Sequence, residues 1–195
     1  MNLIERAKNI LVTPKTEWTV IDGETATPQS LLFGYVLPLA VVAAIGPLLT
    51  GLLFAGMWGF KYFLITAIIA FIANVAAYYI SVIIVDLLAP SFGSEKNLNK
   101  SAQLVAYSAT PGYIGGLLSF IPVLGALLGI AAWVYGVYLM YLGLGPIKKT
   151  PEDKKVVYLL VAYVIWIAIY FIIVAILGAI LFSALGFGVL NTLRY

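Results

Sequence analysis

The sequence contains no cysteine and no histidine, and only 10% of its 195 residues are charged. Without cysteine, the chain has no disulfide, no thiolate nucleophile and no iron–sulfur ligand. Without histidine, it lacks the side chain that most often binds zinc and most often transfers protons near neutral pH. These absences predict a protein that is not an enzyme and that holds no metal and no cofactor.

Apolar residues are abundant instead, at 63% of the chain with a mean hydropathy of +1.07. Soluble domains are only about half apolar and about a quarter charged. We therefore expect an all-α fold, an integral membrane helical bundle, located as a multi-pass protein in the cell membrane. The small net charge of +3 does not indicate a nucleic-acid partner. The expected partner is the lipid bilayer, and a homo-oligomer or another membrane protein stays open as a further partner.

Residues 1–30 differ from the rest because apolar and charged residues alternate there with a helical period. The apolar positions of the first helix are Leu3, Ile4, Ala7, Ile10 and Leu11, and the polar positions opposite are Glu5, Arg6, Lys8 and Asn9. Pro14 ends this helix and allows a second one to begin. We expect a cytoplasmic amphipathic segment of two short helices lying on the membrane surface, rather than a signal peptide.

Residues 31–195 are predicted to form one transmembrane domain, since a crossing needs about 20 apolar residues. The expected spans are residues 31–56, 62–88, 101–119, 124–144 and 156–181. The uncharged stretch 101–147 is 47 residues long, so it is read as two spans joined by a turn near Pro122 and Gly125. The motif Gly143-Leu-Gly-Pro146 is expected to end the fourth span.

The distribution of lysine and arginine predicts the orientation, because cytoplasmic connections retain an excess of both. With the N-terminus inside, nine such residues lie on the cytoplasmic side, and only Lys61 and Arg194 lie outside. The five-span model therefore has a cytoplasmic N-terminus and an external C-terminus.

Small residues repeat on one face of each of the third and fourth spans, a pattern that lets helices approach closely in lipid. The predicted packing residues are Ser101, Ser108, Gly112, Gly115, Ser119, Gly125, Gly129, Ala132, Gly136 and Gly143. We expect a tight antiparallel hairpin, which leucine at Gly129 or Gly136 should destabilise. The alternative is that these small residues line a substrate path.

A few polar residues inside the apolar spans define a second candidate site, composed of Asn74, Tyr78, Ser81, Asp86, Tyr107 and Pro111. Pro111 deprives the carbonyl of Tyr107 of its helical donor. Ser108, Thr110 or a water could satisfy that carbonyl, or it could face a transported substrate. Asp86 is expected to pair or anchor near the cytoplasmic end of its span, and Asn74 to bond across helices.

The segment KKTPEDKK is predicted to be a solvated loop on the cytoplasmic side. Its basic residues attract lipid headgroups, so membrane-surface contact is assigned to Lys148, Lys149, Lys154 and Lys155.

The run LVAYSATPGYIGGLLSFIPVLGALLGIAAWVYGVYLMYLGLGPIKKTPEDKKVVYLLVAYV, from Leu104 to Val164, resembles the prokaryotic branch of the Yip family, which is defined by the Yip-one domain. The opening ERAKNILVTPKTEWTVI is similar to the N-terminal segment of that family. The most characteristic positions are Tyr107, Ser108, Thr110, Pro111, Pro122, Gly125, Tyr135, Tyr138, Tyr141, Leu142, Gly143, Pro146, Thr150, Pro151 and Tyr158.

The resemblance implies five spans with a cytoplasmic N-terminus, in agreement with the distribution of charge. Eukaryotic members bind Ypt/Rab GTPases and act in vesicle trafficking and Golgi organisation through a longer N-terminal region and an Asp-Leu-Tyr-Gly-Pro motif. This sequence lacks the motif and offers about thirty residues before the first span. The favoured function is membrane organisation or the binding of protein partners, and the alternative is a small-solute, ion or lipid transporter with its site near the broken third span.

Overall fold

The computed structural model describes residues 2–54, 59–121 and 123–184, with the side chains of 59, 61 and 180–184 left aside. Within these ranges every regular element is helical, which confirms the all-α prediction. The α-helices are α1 (Leu3–Val12), α2 (Pro14–Asp22), α3 (Pro28–Leu31), α4 (Leu37–Phe54), α5 (Gly59–Leu88), α6 (Leu98–Ser108), α7 (Thr110–Leu117), α8 (Leu124–Lys148) and α9 (Lys155–Ala184). A π-helical turn, Leu32–Val36, joins α3 to α4.

Four helical stretches in the described residues are long and apolar enough to cross a membrane: Pro28–Phe54, Tyr62–Phe92, Leu124–Lys148 and Glu152–Ala179. They correspond to the predicted first, second, fourth and fifth spans. Gly56 at the end of the predicted first span, Pro122 in the predicted turn and Arg194 near the C-terminus lie outside the described residues.

The predicted third span is divided into two helices, α6 and α7, which meet at Ala109. Every residue from Ser101 to Ser108 is buried, and α7 buries Thr110, Pro111, Tyr113 and Gly115. The two helices together cover about 30 Å at 1.5 Å per residue. The least hydrophobic of the predicted spans is therefore the most central one, because its polar atoms meet protein rather than lipid.

Helices α6 and α7 run antiparallel to α8. A Cβ added at Gly115 would lie 3.3 Å from the Cα of Gly129, and one added at Gly136 would lie 3.0 Å from the carbonyl of Ser108. Gly143 in turn lies against Leu104 and Trp18. The partner of each successive position on α6 and α7 lies earlier on α8, as in a helical hairpin.

Helices α1 and α2 pack against the end of this bundle, so their apolar side chains contact protein and not only a membrane surface. Ile10, Trp18 and Ile21 are completely buried. Arg6, predicted on the polar face of α1, is also buried. We call this end, which carries α1, α2, Asp86 and Lys148, the polar end.

Helix α8 continues past Pro146 to Lys148, four residues beyond the predicted end of the fourth span at residue 144. Pro146 removes one backbone donor without ending the helix, as membrane helices tolerate. The helix ends instead at Lys149, whose φ of 53° is left-handed.

Candidate functional site

A buried ion pair lies at the polar end, between α5 and α8. Lys148 Nζ lies 3.3 Å from Asp86 Oδ1 and donates to Ser101 Oγ at 2.7 Å and to the Asn97 carbonyl at 3.3 Å. Ser101 Oγ in turn lies 3.0 Å from Asp86 Oδ1. The Lys148 side chain is fully buried and that of Asp86 is 10% exposed. Three helices are thus joined by one charge-assisted network, which compensates for the loss of hydration only because both charges are paired.

A second buried network fixes the N-terminal helices. Arg6 Nη1 donates to Glu17 Oε1 at 2.5 Å, and Arg6 Nη2 donates to the Glu24 carboxylate. The guanidinium also lies 5.2 Å from the ring centroid of Tyr107, a cation–π contact with α6. Trp18 meets the same Tyr107 ring edge-on at 6.4 Å. This network holds α1, α2 and α6 in one orientation.

A third set of polar contacts joins α2 to α6 and to the end of α8. Lys100 and Lys149 lie 3.2 and 2.7 Å from the two carboxylate oxygens of Asp22. Buried Gln103 donates to the Glu24 carbonyl at 3.0 Å. The hydrogen bond from Lys149 is the largest cause that lowers the pKa of Asp22. Partial burial opposes this shift, and Lys100 reinforces it.

The break between α6 and α7 is closed by neighbouring hydroxyls. Thr110 Oγ1 donates to the Tyr107 carbonyl at 2.7 Å, the carbonyl that Pro111 leaves without its helical donor. Tyr35 Oη lies 2.7 Å from the same Thr110 oxygen. Of the alternatives open from the sequence, the structure supports satisfaction of the Tyr107 carbonyl by Thr110.

A cavity of about 210 Å³ lies between α5, α6, α7, α8 and α9 and opens at the side of the bundle. A water occupies about 30 Å³ in the liquid, so the volume corresponds to about seven waters. Asn74 lies about 21 Å along α5 from Leu88, and Val85 about 5 Å. Both residues line the cavity, which therefore extends about 16 Å along α5 from near the polar end.

The cavity wall is mainly apolar and aromatic, and none of the described residues that line it is charged. Ser108 is 4% exposed, and its Oγ has no hydrogen-bond partner in the described part of the chain. Asn74 donates from Nδ2 to the Ala70 carbonyl at 2.8 Å within α5, rather than across helices as predicted, which leaves its Oδ1 as an acceptor. Ser81 supplies another hydroxyl.

The predicted polar site is thus divided between several places. Asn74, Ser81 and Ser108 line the cavity, whereas Tyr107 faces the N-terminal helices and Asp86 pairs with Lys148. The ring of Tyr78 lines the cavity, but its hydroxyl donates to the Pro28 carbonyl at 3.0 Å.

The predicted packing residues are divided as well. A Cβ at Gly125 or Gly143 would lie within 3.0 Å of a neighbour, so there is no room for one. At Gly115 and Gly136 the nearest atom would lie at 3.0 Å, a tight contact in which the neighbour must shift slightly. Ala132 and Ser119 are among these neighbours. Gly112 instead lines the cavity, and a Cβ there would meet nothing within 4 Å. A Cβ at Gly129 would also meet nothing within 4 Å, so the structure shows no close contact there to support the prediction that leucine at Gly129 destabilises the fold. Ser101 belongs to the ion-pair network rather than to a glycine contact.

Two of the four lysines assigned to the membrane surface are buried, which corrects that assignment. Lys148 pairs with Asp86, and Lys155 is 6% exposed and donates to Glu152 at 2.5 Å. Lys149 is about half exposed while it pairs with Asp22, and Lys154 is exposed. Their positions differ because the chain folds back at Thr150, whose hydroxyl lies 2.8 Å from that of Ser94.

Sequence reasoning missed the buried arginine of α1, although a signal for it was present. Arg6 lies four residues before buried Ile10, so the two share a helical face. Glu17 and Glu24 were also within reach as partners. The role of Gln103 had no comparable signal, because its partner is a backbone carbonyl supplied by the fold.

These features define a class of protein: a multi-pass helical membrane protein with a broken, buried central segment and paired charges at one end. A search of family models finds the Yip1 domain over residues 8–176. The match covers more than half of the chain, which therefore belongs to the Yip1 domain family. No curated protein and no solved structure matches the chain.

Proposed function

We propose that the chain is a non-enzymatic membrane protein that binds protein partners, and thereby organises membrane, through the outer surface of α1 and α2. The observation that carries this proposal is the rigid attachment of these helices by the Arg6 network. Ile4, Val12 and Val20 remain exposed at 73%, 69% and 50%, and Lys8 and Lys15 lie exposed among them. Apolar residues rimmed by charge are typical of interaction surfaces.

Site-specific crosslinking tests this proposal, and the absence of native cysteine makes single-cysteine variants simple to prepare. A cleavable photocrosslinker at Val12→Cys should capture one defined species, either another protein or a second copy of this chain. The matched control is Val164→Cys, which is 66% exposed on α9, away from α1 and α2. Capture of nothing at Val12, or of the same species at both positions, would contradict the proposal.

The domain and topology proposals follow the sequence prediction: residues 1–30 as a cytoplasmic segment and 31–195 as one transmembrane domain of five spans. Helices α5 and α8 both end at the polar end, where Asp86 contacts Lys148. If both cross the membrane, the chain between them must cross it as well, and α6 with α7 is long enough to do so. This supports the broken pair as the third of five spans, with the polar end in the cytoplasm of a prokaryotic plasma membrane.

A second candidate function, transport of a small solute or lipid, is favoured by the lateral cavity. A transport site needs a polar cavity at membrane depth, and Asn74, Ser81 and Ser108 supply polar groups there. Narrowing the cavity should abolish flux of a transported compound across or between the leaflets of proteoliposomes. A protein that binds a ligand in the cavity without moving it would contradict transport.

A further inference from the structure

We propose that the lateral cavity binds one uncharged amphiphile from the bilayer, with its hydroxyl head at Ser108 and its hydrocarbon chain extending towards the lipid. This ligand site is additional to the proposed partner-binding surface. It lies in the same cavity on which the transport alternative rests, and it names the class of ligand that this cavity binds.

The polar groups of the cavity determine the head of the ligand. Ser108 Oγ is buried without a partner, and such a group is costly unless something bonds to it. Asn74 Oδ1 and Ser81 Oγ add an acceptor and a further hydroxyl on the opposing helix α5. A hydroxyl head can both donate to and accept from the Ser108 hydroxyl.

The absence of charge among the described lining residues excludes an ionic head. A carboxylate, phosphate or ammonium buried there would have no counter-ion, and its transfer out of water would be unfavourable. The buried charges among the described side chains are paired elsewhere: Asp86 with Lys148, Arg6 with Glu17 and Glu24, and Lys155 with Glu152. An uncharged head is therefore the chemistry that the cavity accepts.

The remaining wall fits a hydrocarbon chain that enters from the side. Ile84, Val105 and Met140 provide aliphatic surface. Trp133 lines the cavity and is 46% exposed, and we place the opening beside it. Its ring meets Tyr163 edge-on at 6.0 Å, a contact between α8 and α9, and Tyr163 lines the cavity as well.

The cavity can be filled without disturbing the packing. Gly112 lines it from α7, and a Cβ there would meet nothing within 4 Å. Leucine is also a better helix former than glycine. Gly112→Leu therefore occupies the ligand volume, and Gly178→Leu is a matched control, because Gly178 also has open space and is not among the lining residues.

The test is tryptophan fluorescence of the full chain in phosphatidylcholine nanodiscs, titrated with an eight-carbon alcohol that carries bromine at its far end. Trp133 and Trp166 both line the cavity, so bound bromine should quench them with saturation. The Gly178→Leu variant should match the parent, and Gly112→Leu should lose the saturable component. Ser108→Ala, which removes only the unpaired hydroxyl, should weaken binding about tenfold. The brominated carboxylate of the same length should bind at least about tenfold more weakly than the alcohol.

Non-saturable quenching in the parent would overturn the proposal, as would equal binding by the parent and Gly112→Leu. If Gly112→Leu does not fold, the affinity of Ser108→Ala for the alcohol is the test. An affinity equal to that of the parent in Ser108→Ala would also overturn the proposal. Equal binding of the carboxylate would refute an uncharged head. Crosslinking at Val12→Cys is a separate experiment, so partner binding can be contradicted while ligand binding in the cavity is confirmed. Saturable binding without movement between leaflets supports this inference while contradicting transport.

Discussion

At the scale of single residues, the main finding is that several charges of this apolar chain lie inside the protein. Lys148, Asp86, Arg6 and Glu17 are all buried and paired. Pairing offsets the cost of dehydration, but it adds stability only while both members remain. These positions should therefore be sensitive to the loss of one partner.

Lys148→Met should destabilise the fold by about 3–5 kcal/mol, because it leaves the Asp86 carboxylate buried without its cation. The measurement is the unfolding free energy in mixed micelles, followed by circular dichroism. Lys154→Met is the control, since Lys154 is exposed and such surface substitutions change stability by less than about 0.5 kcal/mol. Similar losses in the two variants would show that the Asp86 pair is not significant.

Acid should loosen the attachment of α2 through Asp22. The folded pKa of Asp22 lies below its ordinary value, so its stabilising effect is complete above about pH 3.9 and is lost as the pH falls through the lower folded value. Amide hydrogen exchange, corrected for its intrinsic pH dependence, should show α2 protection that decreases below about pH 4. Asp22→Asn should reduce protection at neutral pH and weaken this acid response. An identical acid profile in the variant would contradict the role of Asp22.

At the scale of elements, the junction of α6 and α7 depends on the hydroxyl of Thr110. Thr110→Val keeps the shape of the side chain but leaves the Tyr107 carbonyl and the Tyr35 hydroxyl without this partner. The expected loss is about 1–3 kcal/mol of unfolding free energy. Thr110→Ser keeps the hydroxyl and should lose clearly less. Equal losses in both variants would indicate that the methyl contact, and not the hydrogen bond, stabilises the junction.

Helix packing should distinguish two glycines of α8 that look equivalent in the sequence. Gly136→Leu places a Cβ 3.0 Å from the Ser108 carbonyl, and overpacking of this kind costs about 1–3 kcal/mol. Gly129→Leu enters open space and should be tolerated. Unfolding of both variants in the same micelles provides the comparison, and an equal loss at Gly129 would contradict the packing described for α8.

The helices were predictable from sequence because hydropathy and length determine where a chain can lie in lipid. The residues that occupy each face were less predictable. Gly112 and Gly129 follow the same small-residue pattern as Gly136, yet an added Cβ would meet a neighbouring atom within 4 Å only at Gly136. That distinction depends on the separation and rotation of the helices, which a repeat in one helix does not contain.

At the scale of the whole molecule, the candidate site was only partly accessible to sequence reasoning. Asn74, Ser81 and Ser108 were noticed as polar residues in apolar spans, and the structure places them on one cavity. Lys148 was read as part of a solvated loop, since the sequence gives no sign that its partner Asp86 comes near it. Long-range pairing of this kind arises only from the assembled bundle.

Both proposed functions depend on five crossings with the polar end in the cytoplasm, and labelling of single cysteines in intact cells tests this arrangement most directly. Thr16→Cys and Lys154→Cys mark the polar end, and Ser119→Cys marks the opposite end beside the turn before α8. A membrane-impermeant maleimide should label Ser119→Cys in intact cells and the other two only after permeabilisation. Labelling of Ser119→Cys from the same side as Thr16→Cys would contradict the five-span arrangement.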